Sequence, residues 1–598
     1  MATSGIDLVV HATHEAGFKV GGIGAVLDGL LSTEAYNRAV GRTILVGPMN
    51  TSDPTEMARL LEPSSRLQII YSSWHQVDQA SAEVSAGLRE IEDWSRSSLL
   101  YGQRSFTGSE PADGPGSQHE VLLVDANRAD LNVINSFKLE LWRDYRIESD
   151  RYEWNEEFDR TIKAAKPAFA ALNLVAGELV GSRYLLAHDW MGIPLALCGQ
   201  IEGGNSWRLI FYAHEVPTAR ILVEDHPGHD TRFYNVLRLA SAAGMTMDQL
   251  FGDRSDFFKH VLVKQGARLH NTFAVGEWVE RELRFLGGDY AWANIDLVYN
   301  GVPSWDAGRQ ERTVSNRRLK QYCQSLLGYE PDYVFTHVTR TIISKGLWRD
   351  LSVLEHLDRM LLADGKKAVL FLLSTSEPAG RAVADVLRWE SEYGWPVVHR
   401  ADNGDLLGHE LPLYQGIERH NARARAAKVV LVNQFGWSQE RCDTKMPADM
   451  RFRDIRWGTD LEFGQSAYEP FGISQIEPLG AGAVSVISSV CGCTGFVRRA
   501  AREAGLSRFS NLLQADFTTV PPELPMNGPW DAMGIGYEVR DQLERVTSYN
   551  VARAVLSTLP ATQNQARAML RRGRRVARRM SWQNVAEDYL LPALRRVG

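Results

Sequence analysis

Glu469 and Glu477 stand eight positions apart in SAYEPFGISQIEPLGAGAVSVISSVCGCTGF. That spacing is about two helical turns and would stack two carboxylates on one helix face. Pro470 and Gly472 between them predict instead that Glu469 precedes a helix starting near Ile473. Upstream, the apolar run VFTHV delivers TRTIISKG, which sets Arg340 and Lys345 on the loop after a strand. Two cations at a strand end form a clamp that can neutralise a leaving diphosphate without a metal, the arginine through a planar fork and the lysine as a point charge. Solvated surface charge is the alternative reading of that pair.

Near the start, the strand from Asp7 runs into HATHEAGFKVGGIGAVLDGLL, with a helix predicted from about Gly22. Gly21 and Gly22 let the backbone come close to a ligand, and a helix N-terminus with Lys19 beside it favours a diphosphate. Glycines kept for packing are the alternative. His188, Asp189 and Trp190 in LLAHDWMGIP and His214 in LIFYAHEVPTAR each follow an apolar strand. They read as ligand contacts or as structural groups and helix caps.

The elements that must position these residues alternate along the chain. Short runs rich in Val, Ile and Leu recur at Asp7–Val10, Thr43–Val46, Val121–Val124, Tyr184–Ala187 and Leu209–Tyr212, with longer amphipathic stretches between them. A second series follows at Tyr333–Val338, Ala368–Leu373, Val397–His399, Lys428–Asn433 and Val484–Ser488. This is the pattern of two parallel α/β layers, with chemistry in the loops at the carboxyl ends of the strands. The polar stretch SWDAGRQERTVSNRR marks the boundary, giving an N-terminal Rossmann-like domain over 1–305, a C-terminal one over 306–570, and a closing helix over 571–598. The segment 107–118, TGSEPADGPGSQ, reads as an exposed excursion.

With 598 residues the chain is long enough for two cores, and 44 % hydrophobic with 23 % charged residues is globular composition. No apolar run approaches the ~20 residues of a membrane span, and the start lacks a secretory leader, so a cytoplasmic protein is expected. A net charge of -7 argues against nucleic acid as partner. Five scattered cysteines with one Cys-x-Cys lack the second pair of a zinc site, so no metal is expected.

In order along the chain, Lys19-x-Gly21-Gly22, His188-Asp189-Trp190, the strand-end His214, Asn300-Gly301, Arg340-x4-Lys345-Gly346, the Glu469/Glu477 pair with its flanks, and Thr494-Gly495 resemble the motifs of the glycogen and starch synthases. The resemblance implies a GT-B fold: two Rossmann-like domains facing each other across a cleft, with a C-terminal helix crossing back to the first. It implies a retaining glycosyltransferase that moves glucose from ADP-glucose or UDP-glucose to the non-reducing end of an α-1,4-glucan. It further implies that Arg340 and Lys345 hold the distal phosphate, Glu469 the sugar and Glu477 the ribose. Asp189 then lies in the sugar and acceptor region, His214 packs on the donor sugar, and Lys19, Gly21, Gly22, Thr494 and Gly495 lie along the sugar nucleotide.

Features of two branches are mixed. Arg220 through HPGHDTRFYN to DFFKH, then VYNGV, resembles the animal and fungal enzymes, while Gly276 and Ala213-His214-Glu215 depart from the family pattern. In that branch an arginine cluster near the end binds an activating sugar phosphate, and Arg571, Arg572, Arg574, Arg575, Arg578 and Arg579 could do the same; a solvated helix face is the other reading. The resemblance calls for no cofactor beyond the donor and is compatible with a homo-oligomer. A related transferase acting on a small sugar or sugar acid, and a non-catalytic glucan-binding protein, are the competing readings.

Overall fold

The computed structural model describes residues 5–108, 116–177, 181–303, 307–377 and 380–597. Most of the 107–118 excursion therefore lies outside the described residues. The chain forms two compact units. The first comprises residues up to Thr218, Met245–Gly301 and the stretch from Trp582; the second comprises Ala219–Gly244 and Val302–Ser581.

The first unit is built on a ten-stranded sheet. Its strands are β1 (Ile6–Ala12), β2 (Val40–Pro48), β3 (Leu67–Ser72), β4 (Val77–Asp78), β5 (Ser98–Phe106), β6 (Ser117–Asp125), β7 (Arg183–His188), β8 (Arg208–Ala213), β9 (Asn271–Ala274) and β10 (Ile295–Leu297), in the order β10-β9-β8-β7-β1-β2-β6-β5-β3-β4. Pairing is parallel from β10 to β6 and antiparallel among β6, β5, β3 and β4. Leu8, Val9, Val10, Leu185, Leu186, Leu209 and Ile210 are all fully buried, as expected of central parallel strands covered on both faces.

The second unit has a six-stranded, wholly parallel sheet. Its strands are β11 (Tyr333–Thr339), β12 (Ala368–Ser374), β13 (Ala427–Val432), β14 (Leu461–Gly464), β15 (Val484–Ser488) and β16 (Leu512–Ala515), in the order β13-β12-β11-β14-β15-β16.

Three expectations are corrected. Val397–His399 is not a strand. The amides of Val397 and Val398 donate to the Gly394 carbonyl and that of His399 to the Tyr414 hydroxyl, so the donors that a ladder would need are already used. The place beside β11 is taken by the short β14. The polar stretch read as the domain boundary is not irregular chain: Arg309–Leu327 is a helix that buries Leu319, Tyr322 and Cys323. The tail is not one helix either. Gln563–Arg579 ends, Val302 donates its amide to the Met580 carbonyl, and the chain restarts as a helix at Trp582 within the first unit.

Candidate functional site

Both sheets place predicted residues just past the carboxyl ends of their strands. In the second unit β11 ends at Thr339. Arg340 is exposed with no bonded partner among the described residues, and a 3-10 turn, Ile343–Lys345, follows. Gly346, at φ +64°, turns the chain into the helix Leu347–Ala363. A side chain there would meet the Gln465 carbonyl at 2.5 Å, so glycine is required on both counts.

Lys345 Nζ donates to Glu469 Oε2 at 2.7 Å, and both side chains are 12 % exposed. Gln475 Nε2 donates to the same carboxylate oxygen at 3.1 Å and to Ser466 Oγ at 3.0 Å, while its Oε1 accepts from Cys491 Sγ at 3.0 Å. The amide of Tyr468 donates to the Ser344 carbonyl, tying the two loops together beside the ion pair. Gly492 donates its amide to the Glu469 carbonyl, and a Cβ on it would stand 1.7 Å from the Pro470 oxygen. Cys491 and Cys493, fully buried with their sulfurs 3.4 Å apart, are packing groups in this turn. Burial pushes the Cys493 thiol up, which opposes the reactive thiolate.

The two glutamates are not stacked on a helix. Glu469 precedes a single turn, Ile473–Ile476, and Glu477 opens the 3-10 turn Glu477–Ala481. Arg456, fully buried, bonds Glu462 and the Ser474 carbonyl and lies 3.9 Å from Glu477. Thr494 begins the helix Thr494–Glu503, whose first turn leaves amides to be satisfied from outside. Its hydroxyl is buried without a hydrogen-bond partner among the described residues, and Gly495 follows it on the helix.

In the first unit His188 ends β7, and Asp189 starts the helix Asp189–Glu202 at φ +52°, a left-handed conformation held against its preference. Asp189 Oδ1 accepts the amides of His214 (2.7 Å) and Glu215 (3.2 Å), which fixes the loop after β8. His214 is 9 % exposed, and its Nε2 meets His188 Nδ1 at 2.8 Å. Trp190 is buried beneath Phe258, with Lys259 Nζ 4.7 Å above its ring.

The glycine turn holds a residue that motif reading missed. Glu15, 2 % exposed, accepts the amides of Val20 and Gly21 at 2.6 Å each, just before the helix Gly22–Leu31. A carboxylate suits a helix N-terminus electrostatically. The Gly21 amide, expected for a diphosphate, is thus occupied together with that of Val20, while Gly22 has open space around it. The signal was available: an acidic residue directly after β1 and before a glycine pair. Lys19 is half exposed and pairs with Asp28 at 3.6 Å.

No protein-family model matches the sequence, and no curated protein matches it. Solved structures do. The catalytic domain of starch synthase IV from Arabidopsis thaliana, bound to ADP and acarbose, aligns over 99 % of both chains at 16 % identity with a TM-score of 0.51. The fold is GT-B. The N-terminal domain of trehalose-6-phosphate phosphatase from Candida albicans aligns over all of this chain and 97 % of its own at 11 % identity, TM-score 0.50. An α,α-trehalose-phosphate synthase from Burkholderia xenovorans, in complex with glucose-6-phosphate, covers 98 % of this chain and 100 % of its own at 12 % identity, TM-score 0.48. No described helix of the GT-B chain is long and apolar enough to cross a membrane.

Proposed function

We propose that this chain is a retaining hexosyltransferase that moves glucose from a nucleoside-diphosphate glucose to the non-reducing end of an α-1,4-glucan. The observation that carries the reading is the Lys345–Glu469 pair, formed between the loops that follow β11 and β14, with Arg340 exposed and without a bonded partner among the described residues on the same loop as Lys345. An ammonium and a guanidinium offset the charge that develops on a departing diphosphate, and the Glu469 carboxylate, held by Lys345 and Gln475, is poised for the hydroxyls of the transferred sugar. The unsatisfied Thr494 hydroxyl and the helix start behind it supply neutral donors for the phosphates. The likeness to a starch synthase that was solved with ADP and acarbose supports a glucan acceptor. The arginines of the helix Gln563–Arg579, where Arg575 donates to the Ala504 carbonyl, form a candidate sugar-phosphate site on this reading.

The test is transfer of labelled glucose from ADP-glucose and UDP-glucose, in parallel, to glycogen and to a panel of small sugars and sugar phosphates. Incorporation into glycogen establishes the glucan synthase and names its donor. Label only in a small product replaces the acceptor, and glucan binding with no transfer removes the enzyme assignment.

A further inference from the structure

Five side chains of the first unit form one hydrogen-bonded line. The parallel register pairs His11 with Leu45 and with Leu186, and His188 with Tyr212. Residues two apart on a strand share a face. Thr43 lies two before Leu45, His188 two after Leu186, and His214 two after Tyr212, so these residues climb one face of the sheet diagonally, one strand at a time. Tyr36, from the helix Glu34–Ala39, bridges the first gap. Thr43 Oγ1 is 3.0 Å from the Tyr36 hydroxyl, which is 3.1 Å from His11 Nε2. His11 Nδ1 is 2.9 Å from His188 Nε2, and His188 Nδ1 is 2.8 Å from His214 Nε2. The rings of His188 and His214 lie within 12° of parallel with centroids 5.0 Å apart, a separation compatible with an end-to-end N–H···N bond. Tyr36, His11 and His188 are fully buried.

A neutral imidazole carries one N–H and one bare nitrogen, so each ring that donates on one side must accept on the other. The choice at any link therefore fixes every link. The rings are neutral near pH 7, because burial pushes His11 and His214 down to about 3 and His188 well below its ordinary range. Two polarities satisfy the geometry, and they differ at Thr43. Pointing outward, the Thr43 hydroxyl donates to Tyr36, Tyr36 to His11, His11 to His188 and His188 to His214. Pointing inward, Thr43 becomes the acceptor and its own proton has no other partner among the described residues. A phenol is also a far stronger donor than a neutral imidazole, and an imidazole nitrogen a stronger acceptor than a phenol oxygen.

We propose that the line is polarised outward, so that His214 meets its ligand solely as a hydrogen-bond donor through Nδ1, with Tyr36, His11 and His188 as positioning residues. The ligand atom is then an oxygen with a free lone pair, a sugar hydroxyl or ring oxygen. His214 is excluded as a general base, since Nε2 already accepts from His188 and Nδ1 already carries a proton. Nδ1 is the one ring nitrogen of the three histidines without a partner among the described residues. The proposal rests on the reading of His214 as a sugar contact, but the polarity itself does not depend on transfer.

Outward polarity puts all three rings in the Nδ1–H tautomer, the minor form of free histidine. Ring-15N labelling of the full chain reads this directly, and couplings across the N–H···N bonds identify the three rings in sequence. Nδ1–H on His11, His188 and His214 is expected. Nε2–H on all three, or a mixture, overturns the proposal. Tyr36→Phe removes the donor to His11 and is expected to return the rings to Nε2–H and to lower kcat/KM for the sugar nucleotide about tenfold, the worth of one hydrogen bond. Thr43→Val, the milder variant, leaves Tyr36 free to donate and is expected to leave the tautomers unchanged, whereas a flip there overturns the outward direction. Nδ1–H rings in a protein that transfers glucose to nothing would leave the polarity standing and remove the proposed function. Transfer by a protein with Nε2–H rings would do the reverse.

Discussion

Two sets of buried polar side chains, one in each unit, are satisfied by opposite means. In the first, Thr43, Tyr36, His11, His188 and His214 carry no net charge and satisfy one another in a line. In the second, full charges are paired: Lys345 with Glu469, Arg349 with Asp230 and Glu544, and Arg456 with Glu462. A neutral line controls the direction of a hydrogen bond, which suits recognition of an uncharged sugar oxygen. Paired charges hold or release charge, which suits a diphosphate. Disturbing each unit in the currency it uses tests whether that contrast is real.

Acid is the largest disturbance to the first unit. His11 and His214 are held near pKa 3 against an ordinary value near 6.5, with His188 lowered too. A lowered folded-state pKa contributes stability that is whole above about 6.5 and is lost as pH falls toward 3, at up to about 1.4 kcal/mol per pH unit for each group. Hydrogen exchange, compared as protection factors at pH 7 and pH 4.5, should show β1, β7 and β8 losing more protection than β11 to β15. Equal loss in both sheets would end the contrast.

Arg349 is the corresponding weak point of the second unit. It is fully buried, bonds both oxygens of Asp230 and one of Glu544, and lies 3.8 Å over the Phe517 ring. Burial already raises the Asp230 pKa, against the pull of the arginine. Arg349→Met strands two carboxylates and should cost about 3–5 kcal/mol, read as a fall in the denaturation midpoint. A variant as stable as the parent would mean that these charges are not confined as described.

Much of this was legible in the sequence, and the gaps have physical causes. Apolar runs separated by amphipathic stretches specify parallel strands because both faces are covered, so β1, β2, β6, β7, β8, β11, β12, β13 and β15 could be read directly. β14 could not: four residues, Leu461–Gly464, are too few for a periodicity. Val397–His399 had the composition of a strand, but its amides donate to the Gly394 carbonyl and the Tyr414 hydroxyl instead of to a neighbouring strand. Glu469, Lys345 and His214 were visible as types at strand ends. The line behind His214 was not, since it depends on the register of four strands. Asp230 was noted only as part of a stretch resembling other chains, and its ion pair with Arg349 spans 119 positions.

At the ion pair itself, Glu469→Gln and Lys345→Ala should each reduce turnover about 100- to 1000-fold, comparable to removing one preorganised charge-stabilising group. The melting transition of Glu469→Gln should stay near the parent's, because the amide keeps the shape of the side chain and strands no charged carboxylate. Near-normal turnover in both would move the chemistry away from the second sheet. His214→Gln, which keeps a donor, should fall less than either.

Two glycines of one helix separate packing from ligand approach with the smallest effects. A Cβ at Gly29 would stand 2.3 Å from the indole of Trp582, so Gly29→Ala must push the restarted tail off the helix Gly22–Leu31. Overpacking of that kind costs about 1–3 kcal/mol, which outweighs the roughly 0.5–1 kcal/mol that alanine gains over glycine in a helix. The expected result is a lower melting temperature and faster proteolytic release of residues beyond 581. Gly22 has nothing within 4 Å of the same position. Gly22→Ala should therefore leave stability equal or slightly higher while raising KM for the sugar nucleotide, because the added methyl lies where the backbone would approach the ligand. A Gly22 variant with unchanged KM would leave Glu15 as the only group that this helix start serves.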